Sequence, residues 1–365
     1  MDLNIYNEEL TLIGVVDVIK SLIWNRKYFQ SGVFELTAPA TDNNLYCLRE
    51  HYLIEKENSD EIGYINTLVV EEPENDVPVI RVTGQFLSGI FTSRVILKNN
   101  WKVSGLIDLN CIHPEEDNRT IQKLILGNFD DISFSNNPIG KQLSDQLEAI
   151  GRYEGFGYRV KLNAKDKQLI FEIVRGLDRS INQTVNPQVI FSQEYDNLRS
   201  TTYTHSDVGA INSVYGACKL PAGIEPCIPP TYKIDNGTGL NRFETYVITE
   251  AVTYDVTKWE TVGTGQIEIT RTYLDGTATL WNMMADCQKA LVPITENFEG
   301  TVNNFTSGYK TLYNLGDIVT IFDEKLGRSI NQRIYEVLET YDNENNAITP
   351  TFGSPARTIM DILKG

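Results

Sequence analysis

A period of two runs through most of this 365-residue chain. It narrows the possible folds more than any other feature, because alternating apolar and polar side chains give a strand one face to bury. Tyr158, Val160 and Leu162 alternate with Arg159 and Lys161, and Leu169-Ile-Phe-Glu-Ile173 follows after Asn163–Lys167, which reads as a hairpin. Ile267-Glu-Ile-Thr-Arg-Thr-Tyr273 alternates in the same way. Asp317–Phe322 and Arg333–Tyr341 flank the turn-like segment 323–328, and Ser21–Tyr28 turns through Gln30-Ser31-Gly32 into Phe34–Thr37. Each such pair needs further strands or a helix to cover its apolar face.

Helical spacing is rare. Ile139, Leu143, Leu147 and Ile150 form one stripe, expected to stop at Gly151. Leu280, Met283, Met284, Cys287 and Leu291 form a second, closed by Pro293. Both read as core-facing rather than as cofactor boxes. Thr41 is expected to cap a short helix through Glu50, and Thr358–Leu363 to form a terminal turn. The fold class is therefore mainly β with an α+β insert. Residues 1–100 read as a strand-rich domain closing with Val79–Thr83 and Ser93–Leu97, 101–200 as the α+β insert, and 201–365 as a second strand-rich domain with one helix. The pentapeptide Arg-Ser-Ile-Asn-Gln occurs at 179–183 and 328–332; no fixed period surrounds it, so it reads as coincidence.

Charge excludes one class of function. With 32 basic against 49 acidic residues the net charge is −17, and a protein that grips nucleic acid needs clustered Lys and Arg. The five cysteines (Cys47, Cys111, Cys218, Cys227, Cys287) are odd in number and show no metal-type spacing, so reduced thiols are expected. Sequence leaves open a bridge between Cys218 and Cys227, which flank a Pro-rich loop. Neither a signal peptide nor an apolar run of membrane-spanning length is present, so no membrane span is expected. The run 71–76, Glu-Glu-Pro-Glu-Asn-Asp, reads as a solvated loop.

The chemistry-bearing residues do not assemble into a site. The histidines are His51, His113 and His205. His113-Pro-Glu-Glu-Asp117 offers one imidazole in an acidic turn, short of the three or four converging ligands a metal requires. His205-Ser206-Asp207 mimics a triad only in sequence, and Ser206 lacks a nucleophile elbow. Gly151-Arg-Tyr-Glu-Gly-Phe-Gly157 lacks the Lys-Ser/Thr of a phosphate loop. Carboxylates are plentiful, but no glycosidase-type pair is singled out. No catalytic, cofactor-binding or metal residue is assigned, and no cofactor is expected.

One segment is more specific. Gly176-Leu-Asp-Arg-Ser-Ile-Asn-Gln-Thr-Val-Asn-Pro-Gln-Val-Ile-Phe-Ser-Gln-Glu-Tyr-Asp-Asn-Leu198 reads as an ordered polar crossing that enters a strand at Val189–Phe191. Its wording resembles a signature of the siphophage tail-hub (tail-associated) family. Three further blocks are similar to that family: Ser21–Tyr28 running into Gly32–Leu36, Val82–Ile96, and Leu315–Thr320 through Tyr335–Val337 to Pro350–Gly353. The resemblance implies two tube-like β-barrel domains flanking the α+β region. It further implies a homotrimeric ring at the distal end of a phage tail, a virion component made in the host cytoplasm. Its partners would be tube ring proteins, spike or fibre proteins and the tape measure protein, with DNA passing through unbound.

The chain stops soon after the closing hairpin, leaving little room for an appended catalytic domain, so no enzymatic activity is expected. Two other readings stand beside the hub. One is a carbohydrate-binding adhesin using Trp259 or Tyr309 as a platform, and the other is a cell-wall hydrolase with an unrecognised carboxylate site.

Overall fold

The computed structural model describes residues 2–72, 77–134, 138–224, 227–302, 308–325, 327–342 and 346–353. The expected turn at 358–363 and residues 73–76 of the acidic run lie outside them. The chain packs as two compact units, Met1–Tyr203 with Phe298–Ser354, and Thr204–Asn297.

The first unit begins with β1 (Leu3–Tyr6), β2 (Leu12–Val16), β3 (Ser21–Lys27), β4 (Val33–Pro39), β5 (Leu53–Lys56), β6 (Ile62–Glu71) and β7 (Val79–Phe86). It continues with β8 (Leu124–Leu126), β9 (Gly157–Asn163), β10 (Gln168–Val174), β11 (Ile190–Ser192) and β12 (Leu198–Ser206). The second unit holds β13 (Ser213–Lys219), β14 (Thr231–Asp235), β15 (Glu244–Glu250), β16 (Thr253–Val262) and β17 (Gly265–Leu274). The chain then returns with β18 (Thr295–Val302), β19 (Ile318–Asp323), β20 (Arg328–Asp342) and β21 (Asn346–Gly353). The helices are α1 (Asp42–Cys47), α2 (Val103–Ile107), α3 (Leu143–Glu154) and α4 (Gly276–Ala290).

The mainly-β expectation holds. Thirteen strands form one sheet whose path runs β12-β18-β21-β20-β3-β4-β7-β6-β5-β1-β2, with β19 joining β20 and β11. The expected hairpins are present: β3 with β4, β9 with β10 (Val160 opposite Phe171), and β19 with β20 (Thr320 opposite Asn331). β3 turns Leu22, Trp24 and Arg26 inward, and Trp24 packs edge-on against Phe86 with ring centroids 4.8 Å apart.

That sheet is rolled. β5 stands five strands from β20, which in a flat sheet is about 24 Å at the usual strand spacing. Nevertheless the Lys56 ammonium on β5 forms an ion pair with the Glu339 carboxylate on β20. Two side chains cannot span such a gap, so the strands between must curl around the Trp24–Phe34–Phe86 core. The hydrogen-bonded path does not close into a barrel among the described residues.

The expected boundaries at 100 and 200 do not coincide with the packing. One apolar core joins Tyr6, Leu10, Leu53 and Ile62 to Phe91, Leu106, Leu147, Phe156 and Phe171, so 101–200 shares its interior with the strands before it. Residues 298–353 likewise return to the first unit, where β20 pairs with β3.

Local expectations are corrected at three points. Ser93–Leu97 is not a strand: Leu87–Ser93 is 3-10 helix and Val95 makes a single bridge to Gln142. α3 runs from Leu143 through Gly151 to Glu154 and ends at Gly155, which has φ +73°. Only the later glycine takes the left-handed conformation that stops a helix. α1 is capped by Thr41, whose Oγ1 accepts from Asn44 N, but it ends at Cys47 rather than Glu50.

In the second unit β13 lies between β14 and β15, and α4 covers this sheet by packing Met283 and Cys287 against Val214. Asp275 caps α4 by accepting from Ala278 N at 2.9 Å. β16 and β17 form a separate two-stranded ribbon. All five cysteines are free thiols, Cys218 and Cys227 included.

Candidate functional site: the signature loop and a buried ion network

The 176–198 segment is an ordered crossing, and its polar atoms are spent on holding β19. Gly176 N donates to Tyr28 Oη at 3.0 Å, and that hydroxyl donates to Val174 O at 3.0 Å. A Cβ on Gly176 would lie 1.8 Å from Gly316 O, so no side chain fits there. The buried Asp317 carboxylate accepts from Leu177 N (2.7 Å), Arg179 Nε (2.9 Å) and Asn314 N (3.0 Å). Backbone bonds continue the seam. Ile318 N donates to Leu177 O, Arg179 N to Ile318 O and Thr320 N to Val189 O, after which β11 runs parallel to β19.

The remaining side chains of the signature satisfy one another. Gln183 Nε2 donates to Ser180 O and Asn186 O, and its Oε1 accepts from Val185 N and Asn186 N. Asn197 accepts from Ser192 N and donates to Ile190 O. Phe191 anchors the far end, 5.0 Å from Tyr313 and 5.1 Å from Phe352 between ring centroids. Asn- and Gln-rich composition here means self-contained turn chemistry, since buried polar groups require partners.

The two Arg-Ser-Ile-Asn-Gln copies flank the same strand. The first hydrogen-bonds to one edge of β19 and the second pairs with the other, as the opening of β20. They meet at Thr320, whose Oγ1 accepts from Ile181 N at 2.9 Å and donates to Asn331 Oδ1 at 2.7 Å. Without a fixed period around it the repeat reads as coincidence in the sequence, yet in the fold both copies serve one strand.

A second polar cluster lies on the inward face of the rolled sheet. Arg26 Nε donates to Glu61 Oε2 at 2.6 Å and Arg26 Nη1 to Tyr309 Oη at 2.9 Å. Tyr341 Oη donates to Glu339 Oε2 at 2.6 Å, and Lys310 Nζ stands 3.9 Å from Glu339 Oε1. Burial acts to raise the Glu339 pKa, but Lys56, Lys310 and the hydrogen bonds from Lys56 and Tyr341 outweigh it and hold the carboxyl below its usual range. Burial lowers Lys310 to about 8, with Glu339 opposing the shift. These charges were not legible as a site, because their members come from positions 26, 56, 61, 310 and 339.

The histidines stay apart. His113 Nδ1 faces Asp108 Oδ1 at 2.7 Å on the surface, and His51 stacks on Tyr64. His205 and Asp207 share a shallow cleft with Asn212, Asn236 and Phe243, while Ser206 Oγ accepts from Val208 N. No group of three or more His, Cys, Asp or Glu side chains suited to a metal occurs among the described residues. Of the two suggested glycan platforms, Trp259 is exposed, whereas Tyr309 is engaged by Arg26. No helix among the described residues is long and apolar enough to cross a membrane.

The sequence profile of the siphovirus ReqiPepy6 Gp37-like protein family matches residues 2–354. The chain belongs to this family. Three solved structures share the fold of this Gp37-like chain. The 43 kDa tail protein of prophage MuSo2 from Shewanella oneidensis has a TM-score of 0.58 at 13% identity, covering 96% of this chain and 98% of that one. The tail protein from Neisseria meningitidis MC58 has a TM-score of 0.58 at 10% identity, covering 96% of each chain. The prophage tail protein gp18 from Listeria monocytogenes EGD-e has a TM-score of 0.52 at 11% identity, covering 100% of this chain and 98% of that one. No curated protein matches the Gp37-like chain by sequence.

Proposed function

We propose that this chain is a structural hub subunit of a phage tail, forming a trimeric ring that joins the tail tube to the tip and surrounds the DNA path. The observation that carries the reading is its extent: the family match and the fold shared with three tail proteins each span nearly the whole chain. The packing of the signature supports it, because that segment's polar groups hold β19 rather than presenting a reactive constellation. In this reading the rolled sheet is one tube-like barrel domain. Two such domains per subunit make a pseudo-sixfold collar beneath a hexameric tube ring, with tube, spike or fibre and tape measure proteins as neighbours.

A net charge of −17 suits a conduit through which a polyanion slides without sticking. The subunit has no enzymatic role in this account. The test is the absolute mass of the purified chain by light scattering behind a sizing column, with negative-stain images of the same peak. The expected species has three times the 41.3 kDa chain mass, or a multiple of that trimer, and images as a ring with a central hole. A compact monomer that also cleaves peptidoglycan would overturn the reading.

A further inference from the structure

The ribbon of the second unit leaves one edge uncovered, with exposed apolar side chains among charged ones beside it. β16 pairs with β17 over ten residues without a bulge and has no strand on its other side among the described residues. Alternation sets Tyr254, Val256 and Val262 on the same face as Ile267, Ile269 and Tyr273, together with Lys258, Glu260 and Arg271, and Tyr254, Val262 and Ile267 are exposed. A two-stranded ribbon is marginal in water without a packing partner, and a long regular edge is a template for another strand. β16 carries neither proline nor bulge to blunt that edge.

The ribbon also fixes which backbone groups are free. The loop Gly263–Thr264 has two residues, with Gly263 at φ +64°, and it closes on the pair Val262 and Gly265. That closing pair exchanges hydrogen bonds in such a hairpin. Counting back by two, Glu260, Lys258 and Val256 also bond to β17. The N–H and C=O groups of Thr257, Trp259 and Thr261 therefore point to the open edge.

We propose that β16 pairs antiparallel with β16 of a second copy of this chain, about a two-fold axis at Trp259, making one four-stranded sheet. Charge selects this occupant and this register. With the axis at Trp259, Lys258 of each copy faces Glu260 of the other, Val256 faces Val262, and Thr257 faces Thr261. An axis at Lys258 would set the two Lys258 side chains against each other, and one at Glu260 would set the two Glu260 side chains together, like-charge pairs in both cases. An axis at Thr257 would set Lys258 against Val256, and one at Thr261 would set Glu260 against Val262, with no charge pairing. Lys258 has no ion-pair partner of its own among the described residues, and Glu260 is 3.1 Å from Arg271 across the ribbon. Trp259, at 65% exposed, would meet its symmetry mate at the axis, the kind of large aromatic that anchors interfaces.

This contact is two-fold and separate from any ring, so it joins two rings face to face or, if no ring forms, two single chains. The experiment is light-scattering mass across a concentration series for the unaltered chain, K258E, E260K and the double variant K258E/E260K, with circular dichroism to check folding. Each single variant places two like-charge pairs across the axis, and a roughly tenfold or greater rise in the dissociation constant is expected. The double variant restores the opposite-charge pairs and the association. A halving from six chains to three supports the contact and the ring together, and from two to one supports the contact alone. No two-fold association in the unaltered chain, or a double variant as weak as the singles, overturns the proposal. Pairing of this edge with a different tail protein would give the first of those results.

Discussion

Lys56 and Glu339 lie 283 residues apart in sequence and form a buried ion pair across the rolled sheet, joining β5 to β20. Around them Tyr341, Lys310, Arg26, Glu61 and Tyr309 complete a network that pins the N-terminal strands to the C-terminal ones.

Removing Lys56 leaves the buried Glu339 carboxylate with only the Tyr341 hydrogen bond and the more distant Lys310. Lys56→Met is expected to destabilise the first unit by about 3–5 kcal/mol, whereas Lys56→Met with Glu339→Leu should recover most of that loss. Urea unfolding of the three proteins measures it, and equal losses for the single and double variants would refute the network.

Two pH dependences follow. Glu339 is held below the usual carboxylate range, so it contributes stability that is present above the unfolded value of about 4.3 and is lost as pH falls through its lower folded value. Lys310 is lowered to about 8 in the folded chain against about 10.4 unfolded. Between those values the unfolded state binds more protons, so stability contributed by Lys310 rises with pH. The stability difference between the unaltered chain and Lys310→Met should therefore grow in favour of the former from pH 8 to 10. A flat difference would contradict the assignment.

Glycine is required at 176 by contact and favoured at 140 by conformation alone. A Cβ at Gly176 strikes the backbone of Gly316, while Gly140, at φ +85°, has open space around it. Gly140→Ala should cost about 1–2 kcal/mol, the left-handed penalty. Gly176→Ala should cost more, about 3 kcal/mol or above, since backbone must move. Thermal unfolding of both variants ranks them.

Thr320→Val keeps the shape of the side chain and deletes both bonds that tie the two Arg-Ser-Ile-Asn-Gln copies to β19. The expected loss is about 1–3 kcal/mol, from orphaning Ile181 N and Asn331 Oδ1. Hydrogen exchange should show the 179–192 segment opening more readily than the β3–β4 hairpin, and uniform loosening of both would argue against a local seam.

Local pairing was legible and distant pairing was not. The period-two runs at 158–173 and 317–341 reveal their hairpins because each strand is followed by its own partner. The same pattern cannot show that β20 returns to β3, or that 101–200 shares a core with Tyr6 and Leu53, because periodicity records which face is buried and not what covers it. Ser93–Leu97 looked like a strand through its apolar residues, yet Ile96 enters the shared core from an irregular segment. The signature was visible as a polar crossing, but its reason, three donors converging on Asp317, depends on a residue 140 positions beyond Leu177.

The most direct test of the tail-hub account is the position of the chain in an assembled particle. Tail particles containing this protein, labelled with gold-conjugated antibody against it and imaged by electron microscopy, should carry label at the distal end of the tube, where tube meets tip. Label along the tail shaft, or purified particles lacking the protein, would contradict the account.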